Sequence, residues 1–245
     1  SMFNADKQVL PDGRFLQFSY LSNENGKRRT QIELVDSETN QVLAKGVMEY
    51  TTPYLIVEFC SVNEDGTIMM VTSAELDRLQ FFLFDVNLNC IKSIPIQLGD
   101  STYYLNELKN DGFYILERTL TGDHANNNFH VYRYDKHLNL LWESDTICNF
   151  IYYFKSPSGE ILAYKSMLEP ERECYIEYYG NEQAYIKEHT HSLQYADENP
   201  ATCQGNGYKE HLYCAECGCW FTSEDETLIT DIRKALIPIL EHDAE

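Results

Sequence analysis

Residues 54–96 read YLIVEFCSVNEDGTIMMVTSAELDRLQFFLFDVNLNCIKSIPI, and this stretch decides the fold. Apolar and polar residues alternate in four short runs, a pattern typical of half-buried strands. Asp65-Gly66 lies between the first two runs, and Asp85 opens the turn before the last. Asp-Gly favours tight hairpins, and an Asp side chain can bind the backbone of its own turn. The stretch therefore predicts a four-stranded antiparallel meander, with strands at Tyr54–Val62, Thr67–Ser73, Arg78–Asp85 and Cys90–Ile96.

The same two turns recur along the chain. Each turn of the first class contains a glycine, and these glycines are Gly13, Gly66, Gly112 and Gly159. Successive glycines are 53, 46 and 47 residues apart. Turns of the second class open at Asp36, Asp85, Asp135 and, in the fourth unit, Gly180. Each unit spans about 40–50 residues, the size of a propeller blade. We therefore expect residues 1–187 to form four four-stranded meander repeats, with the last strand at residues 184–188 and an exposed loop at residues 121–128.

These units resemble β-propeller blades of no particular sequence family. Residues 135–142 (DKHLNLLW) are similar to the last hairpin of blades whose final strand carries a Leu-Trp pair. The resemblance implies an all-β, β-propeller-like domain. Since a single meander cannot bury both of its faces, we expect the units to pack on one another.

The composition changes at residue 188, and we expect a second, small domain at residues 188–245. Cys214-x-x-Cys217-Gly is typical of a zinc knuckle, in which one tight turn presents two thiolates and the glycine permits the backbone conformation. Redox motifs share the Cys-x-x-Cys spacing. However, Cys203 precedes Cys214 by eleven residues, and histidines flank the segment on both sides. The pattern therefore predicts a closed structural zinc site with four protein ligands.

The segment that begins at His191 resembles the short Cys/His repeat of large surface and secreted proteins from clostridia and their relatives. The likeness rests on His-x-Leu, Pro-Ala-Thr-Cys, Gly-Tyr, Tyr-Cys-x-x-Cys-Gly, Ile-Thr, Ile-Pro and His-Asp, in that order. It implies a bacterial source and a zinc-ribbon-like module. It also implies that His191 is the leading histidine of the repeat and that His242 opens the next copy. Cys219 stands where the repeat usually has a Lys.

The predicted zinc ligands are Cys203, Cys214, Cys217 and, in the fourth position, His191, with His242 and then Cys219 as alternatives. His189 could replace His191, because the two histidines are two residues apart on the same face of an extended segment. His211 lies in a predicted strand, and we expect it to be an exposed surface residue.

The chain contains 39 acidic and 19 basic residues, a formal net charge of −20. Such a surface repels phosphate backbones and anionic lipid, which argues against nucleic acid and membranes as partners and favours a basic protein. No stretch approaches the ~20 apolar residues of a spanning helix. Four cysteines lie singly in apolar runs, which favours a reduced compartment such as the cytoplasm. A cell-surface location stays open if a signal segment was removed.

No sequence motif of a hydrolase elbow, a P-loop, a metalloprotease helix or a dinucleotide site occurs. The leading hypothesis is a non-enzymatic bacterial protein-binding module, one form of which is an acidic immunity or inhibitor protein for a basic partner. The first alternative is an accessory module of a cell-surface protein that binds glycan or other surface components. The second is a glycosidase-like enzyme with a pair of channel-facing carboxylates, drawn from Glu58, Glu107, Glu117 and Glu177.

Overall fold

The computed structural model describes residues 7–51, 56–75, 78–97, 102–108, 111–119, 126–168, 171–180 and 189–239. These residues form β-strands joined by turns, with one short 3-10 helix at Ile232–Lys234. Successive antiparallel meanders make up the first fifteen strands, so the predicted fold class is confirmed. No helix in this part of the chain is long and apolar enough to cross a bilayer.

The strands of each repeat are neighbours in a sheet in the order in which they occur in the sequence. The first repeat contains β1 (Lys7–Val9), β2 (Phe15–Glu24), β3 (Lys27–Val35) and β4 (Val42–Tyr50). The second contains β5 (Ile56–Val62), β6 (Ile68–Glu75), β7 (Arg78–Phe84) and β8 (Cys90–Gln97). The third contains β9 (Thr102–Leu108), β10 (Gly112–Thr119), β11 (Asn127–Tyr134) and β12 (Leu140–Cys148).

The fourth repeat contains three described strands, β13 (Phe150–Lys155), β14 (Ile161–Met167) and β15 (Glu173–Gly180). The predicted last strand of this repeat, at residues 184–188, lies outside the described residues. The same is true of most of the predicted loop at residues 121–128 and of the predicted domain boundary at residues 187 and 188.

The predicted turns are formed by the residues that suggested them. The four glycines of the first turn class have φ between +84° and +98°, the left-handed region that favours glycine. In the second class, the Asp85 carboxylate accepts backbone N–H groups of Asn87 and Asn89 at 2.9 and 2.8 Å. Asp135 caps the corresponding turn of the third repeat in the same way.

The C-terminal module consists of short strands. They are β16 (Leu193–Ala196), β17 (Gly207–Tyr208), β18 (His211–Cys214), β19 (Trp220–Thr222), β20 (Leu228–Ile229) and β21 (Leu236–Ile237). One sheet has the order β16-β18-β19-β20, and β17 pairs with β21 in a second. Strands of two to four residues bury little surface, so the module needs support from elsewhere.

The chain divides into two compact units. One unit comprises residues 1–74, 80–94 and 190–245, and the other comprises residues 75–79 and 95–189. The core of the first unit includes Leu16 and Ile32 of the first repeat, Phe82 of the second, and Trp220 and Ile229 of the C-terminal module. The module therefore shares one apolar core with the first two repeats. In the second unit, a separate core contains Tyr114, Val131, Tyr153 and Ile161.

Candidate metal centre

Four side chains of the C-terminal region converge on one point. His189, His191, Cys214 and Cys217 each offer one ligand atom, and these atoms all lie within 4.8 Å of one another. The Sγ atom of Cys217 is 3.4 Å from Nδ1 of His191. Around a tetrahedral ion with bond lengths typical of sulfur and nitrogen ligands, neighbouring ligand atoms are about 3.3–3.8 Å apart. The group could therefore hold a metal ion after small adjustments.

The two cysteines are placed by a tight turn between β18 and β19. The N–H of Gly218 donates to the carbonyl of Cys214 at 2.8 Å, and the N–H of Cys214 donates to the carbonyl of Cys219 at 3.0 Å. Gly218 has a φ of +76°, and a Cβ atom at this position would lie 2.5 Å from Cγ1 of Ile91. Both the conformation and the close approach require glycine, as the knuckle motif predicts.

The histidines are placed by strand pairing. They directly precede β16, which pairs with β18 in the register Leu193 opposite Cys214. This register brings the residues before Leu193 to the end of β18 at which the cysteine turn begins. The ring of His191 packs edge-on against Phe221, with ring centroids 5.0 Å apart.

The electrostatic environment favours a thiolate at Cys217. The interaction with the Cys219 side chain is the main reason that the pKa of Cys217 falls to about 4. Burial opposes the shift, while Cys214 and His191 assist it. The interaction with Cys217, burial and the nearby Asp65 carboxylate raise the pKa of Cys219. Because thiolates are the form that binds metal, Cys217 is prepared for that role.

The group differs from the predicted ligand set at one position. Cys203 is exposed in a turn closed by the Thr202 N–H, which donates to the Gly205 carbonyl at 2.9 Å, and it does not join the other ligands. His189, which had been considered only as a substitute for His191, takes part beside it. In the sequence, the signal for this arrangement is that His189 and His191 are two residues apart in an extended segment, which places both imidazoles on the same side.

The two alternative ligands are not in the group that the structure describes. His242 lies outside the described residues. Cys219 is buried, and its thiol is 3.5 Å from Oδ2 of Asp65, in the first turn of the second repeat. Cys219 therefore acts on the site through Cys217 and links it to the repeats.

The prediction that His211 is exposed is wrong. Only 2% of its surface is exposed, and its ring stacks on Trp220 with centroids 3.7 Å apart. Burial lowers the pKa of His211, which keeps the imidazole neutral and suited to this stack. The error arose because strand alternation does not reveal which face of the β18–β19 hairpin is buried; Trp220 of the same hairpin covers the ring.

The module contacts the turns of the first two repeats through polar bonds. Nε1 of Trp220 donates to Oδ2 of Asp85 at 3.0 Å in a buried position. Nη1 of Arg233 donates to Oδ2 of Asp36 at 2.7 Å. These aspartates open the second-class turns of their repeats, so the C-terminal module binds the same recurring feature twice.

The four carboxylates considered for a glycosidase-like site engage different partners. Glu117 accepts a hydrogen bond from the Tyr132 hydroxyl at 3.1 Å, Glu177 pairs with Lys165, and Glu58 accepts from the Ser73 hydroxyl. Glu107 lines a cleft of about 380 Å³ together with Tyr152 and Lys155, and burial raises its pKa. The pairing of two carboxylates that this hypothesis requires therefore stays a prediction.

Comparisons with known proteins give no family. No family model and no curated protein matches the sequence. A eukaryotic initiation factor shares 8% identity and a TM-score of 0.33, over 96% of this chain and 57% of that one. The WD40 domain of Toxoplasma gondii coronin has 12% sequence identity and a TM-score of 0.32, and the match covers 65% of this chain and 45% of that one. An ACO/RPE65 chimera has 10% sequence identity and a TM-score of 0.33, and the match covers 93% of this chain and 62% of that one. The chain spans less than two thirds of each of these structures.

Proposed function

We propose that this protein is a non-enzymatic binding protein whose C-terminal module holds one structural zinc ion. Two thiolates and two imidazoles are a common donor set of structural zinc sites. Four protein ligands leave no open position at which a catalytic water could bind. The chemistry and the number of the ligands in the His/Cys group thus favour zinc in a structural role.

The ion would supply the stability that the short strands of the module lack. Structural zinc sites contribute on the order of 10 kcal/mol or more to folding. In this module, the ion would fix the cysteine turn between β18 and β19. That turn is followed at once by Trp220, whose indole is bound to Asp85. Zinc would therefore hold the module in the core that it shares with the first two repeats.

The partner that we propose is a basic protein, and the observation that carries this proposal is the charge balance. Acidic residues exceed basic ones by 20 in this chain. Much of the basic complement is already engaged in internal ion pairs, which include those of Arg14, Lys27, Arg29, Lys45, Arg133, Lys155, Lys165 and Arg233. A surplus of carboxylates of this size would attract a cationic surface. An acidic immunity or inhibitor protein of bacterial origin is one form of this proposal.

Affinity capture from the lysate of the source organism at low and high salt tests the choice of partner. We expect a basic protein that is retained at about 0.05 M salt and released at about 0.5 M salt, where charges are screened within a few ångströms. Titration of the purified partner should then show an association constant that falls as salt rises. Retention of a neutral protein with no dependence on salt would contradict the proposal.

One observation favours a second candidate, the binding of glycan. A cleft of about 500 Å³ in the first unit is lined by amide side chains, including Gln41, Asn87, Asn199 and Gln204, and by Tyr208. Amides and an aromatic ring can bind the hydroxyl groups and the apolar face of a sugar. Calorimetric titration with N-acetylglucosamine oligomers tests this candidate, and Gln204→Ala should weaken any binding that occurs in the cleft.

A further inference from the structure

On the outer face of the fourth repeat, the three rows of side chains that strand pairing defines contain no charged residue. Strand register places nine side chains in three rows on this face. The rows are Phe150, Ser166 and Cys174, then Tyr152, Tyr164 and Ile176, then Phe154, Leu162 and Tyr178. Seven of the nine are large and apolar or aromatic. The carboxylate of Glu160 lies at the edge of this face, where it accepts a hydrogen bond from the Tyr178 hydroxyl at 3.3 Å.

Most of this face is open to solvent. Tyr164, at the centre, is 38% exposed, and its neighbours Tyr152 and Ile176 are 47% and 62% exposed. Tyr178 and Phe150, in the flanking rows, are 61% and 49% exposed. Taken together, these five side chains present roughly 500 Å² of surface, about as much as the largest apolar patch of a typical monomer. The opposite face of the same sheet packs into the core of the second unit through Ile151, Tyr153, Ile161 and Ala163.

The first repeat has the opposite character. The central row of its outer face contains Gln17, Glu33 and Lys45. Nζ of Lys45 lies 3.1 Å from Oε1 of Glu33, which also accepts a hydrogen bond from Gln31 at 2.9 Å. The outer face of the first repeat is therefore polar, whereas that of the fourth repeat is largely apolar.

We propose that the outer face of the fourth repeat binds the same face of a second copy of this chain in a two-fold symmetric dimer. Head-to-tail association would press an apolar face onto the charged row of the first repeat, which leaves Glu33 and Lys45 desolvated. Face-to-face association matches apolar surface with apolar surface and closes after two copies. The two faces together bury about 1,000 Å², which is near the lower limit for a specific interface and corresponds to a weak dimer.

Salt separates this association from the proposed binding of a basic protein. Dimerisation brings together two acidic chains, with Glu160 at the edge of each apolar face, so screening of their repulsion should strengthen it. Binding of a basic partner should weaken under the same conditions. A failure of one proposal therefore does not entail a failure of the other.

Sedimentation velocity of the full chain, at about 1 to about 200 µM and at low and high salt, tests the proposal. We expect a monomer–dimer equilibrium that shifts towards dimer with both concentration and salt. Tyr164→Glu and Ile176→Glu should each raise the dissociation constant at least about tenfold while leaving the circular dichroism spectrum unchanged. Tyr20→Glu, at an exposed tyrosine of the first repeat, is the matched control and should leave dimerisation intact.

A wild-type chain that is monomeric throughout this range would overturn the proposal, as would a Tyr164→Glu variant that dimerises like the wild type. If the monomer instead retains a different protein, and Tyr164→Glu abolishes that retention, the face belongs to the other partner and the dimer is refuted.

Discussion

The indole Nε1 of Trp220 donates a hydrogen bond to Oδ2 of Asp85 at 3.0 Å, and both groups are buried. The two residues are 135 positions apart in the sequence. Asp85 already caps its own turn, so the indole adds a tertiary bond to a carboxylate that local structure has placed. Burial raises the pKa of Asp85, while the bonds from Asn89, Asn87 and Trp220 favour its charged form. This contact joins the C-terminal module to the second repeat.

Trp220→Phe should destabilise the protein, because it leaves the buried Asp85 carboxylate with one donor fewer. We expect a loss of about 1–3 kcal/mol, the cost of an unsatisfied buried polar group. Urea unfolding followed by circular dichroism measures it. Tyr213→Phe is the control, because it removes an exposed hydrogen bond from the Tyr213 hydroxyl to Gln194 on the neighbouring strand. It should change the free energy of unfolding by less than about 0.5 kcal/mol. Equal losses in the two variants would refute the role assigned to Asp85.

Two equivalent glycines test whether the module packs on the second repeat. Gly13 and Gly66 have φ of +88° and +84°, but a Cβ atom on Gly66 would lie 2.5 Å from the carbonyl oxygen of Thr230. At Gly13, the nearest atom would be Oγ of Ser37 at 3.7 Å. Gly13→Ala should cost about 1–2 kcal/mol for the left-handed conformation alone. Gly66→Ala should cost about 1–3 kcal/mol more, because it also overpacks the contacts with Thr230 of the module and with Val86.

Tryptophan fluorescence can follow this unit separately. The chain has two tryptophans, and Trp142→Phe leaves Trp220 as the single reporter in the first unit. Both glycine variants are best compared in that background by urea titration. If they unfold at the same urea concentration, the module does not press on Gly66 in solution.

His130 should make stability depend on pH in the neutral range. Nδ1 of His130 lies 2.6 Å from Oδ1 of Asp145, and Nε2 lies 3.3 Å from Oε2 of Glu143. Burial lowers the pKa of His130, but the two carboxylates outweigh it, so the pKa is raised. A raised folded-state pKa contributes stability that is fully present below the unfolded value of about 6.5 and is lost as the pH rises through the folded value.

Unfolding of the wild type, His130→Gln and Asp145→Asn from about pH 5.5 to about pH 8.5 checks this effect. The wild type should lose stability from acidic to alkaline pH relative to both variants. His130→Gln removes the titrating group, and Asp145→Asn removes its nearest carboxylate. A His130→Gln variant with the same dependence on pH as the wild type would show that another group is responsible.

The repeats could be predicted from the sequence because their determinants are local. The Asp-Gly turns, the aspartate caps and the alternating runs each lie within a few residues, and the strands of the second repeat begin and end within two residues of the predicted bounds. The cysteine turn was predictable for the same reason, since Gly218 follows Cys217 directly. These features need no knowledge of what the rest of the chain does.

The remaining features depend on contacts between distant segments. Nothing near Trp220 in the sequence indicates that Asp85 will accept its hydrogen bond, and alternation does not indicate that the His211 side of the β18–β19 hairpin is buried. Cys203 was favoured as a ligand because it is a cysteine close to the knuckle in sequence, but the 202–205 turn leaves its side chain exposed. Pairing of β16 with β18 instead brings the two histidines to the site.

The most direct test is the zinc content of the purified chain, measured by mass spectrometry of the metal after removal of loosely bound ions. We expect one zinc ion per chain in the wild type and in Cys203→Ser, and a loss of zinc in Cys217→Ser and in His189→Ala. Cys217→Ser should also become sensitive to protease in the C-terminal module, since the ion stabilises that fold. Full zinc content in Cys217→Ser, or loss of zinc in Cys203→Ser with retention in His189→Ala, would contradict the site described here.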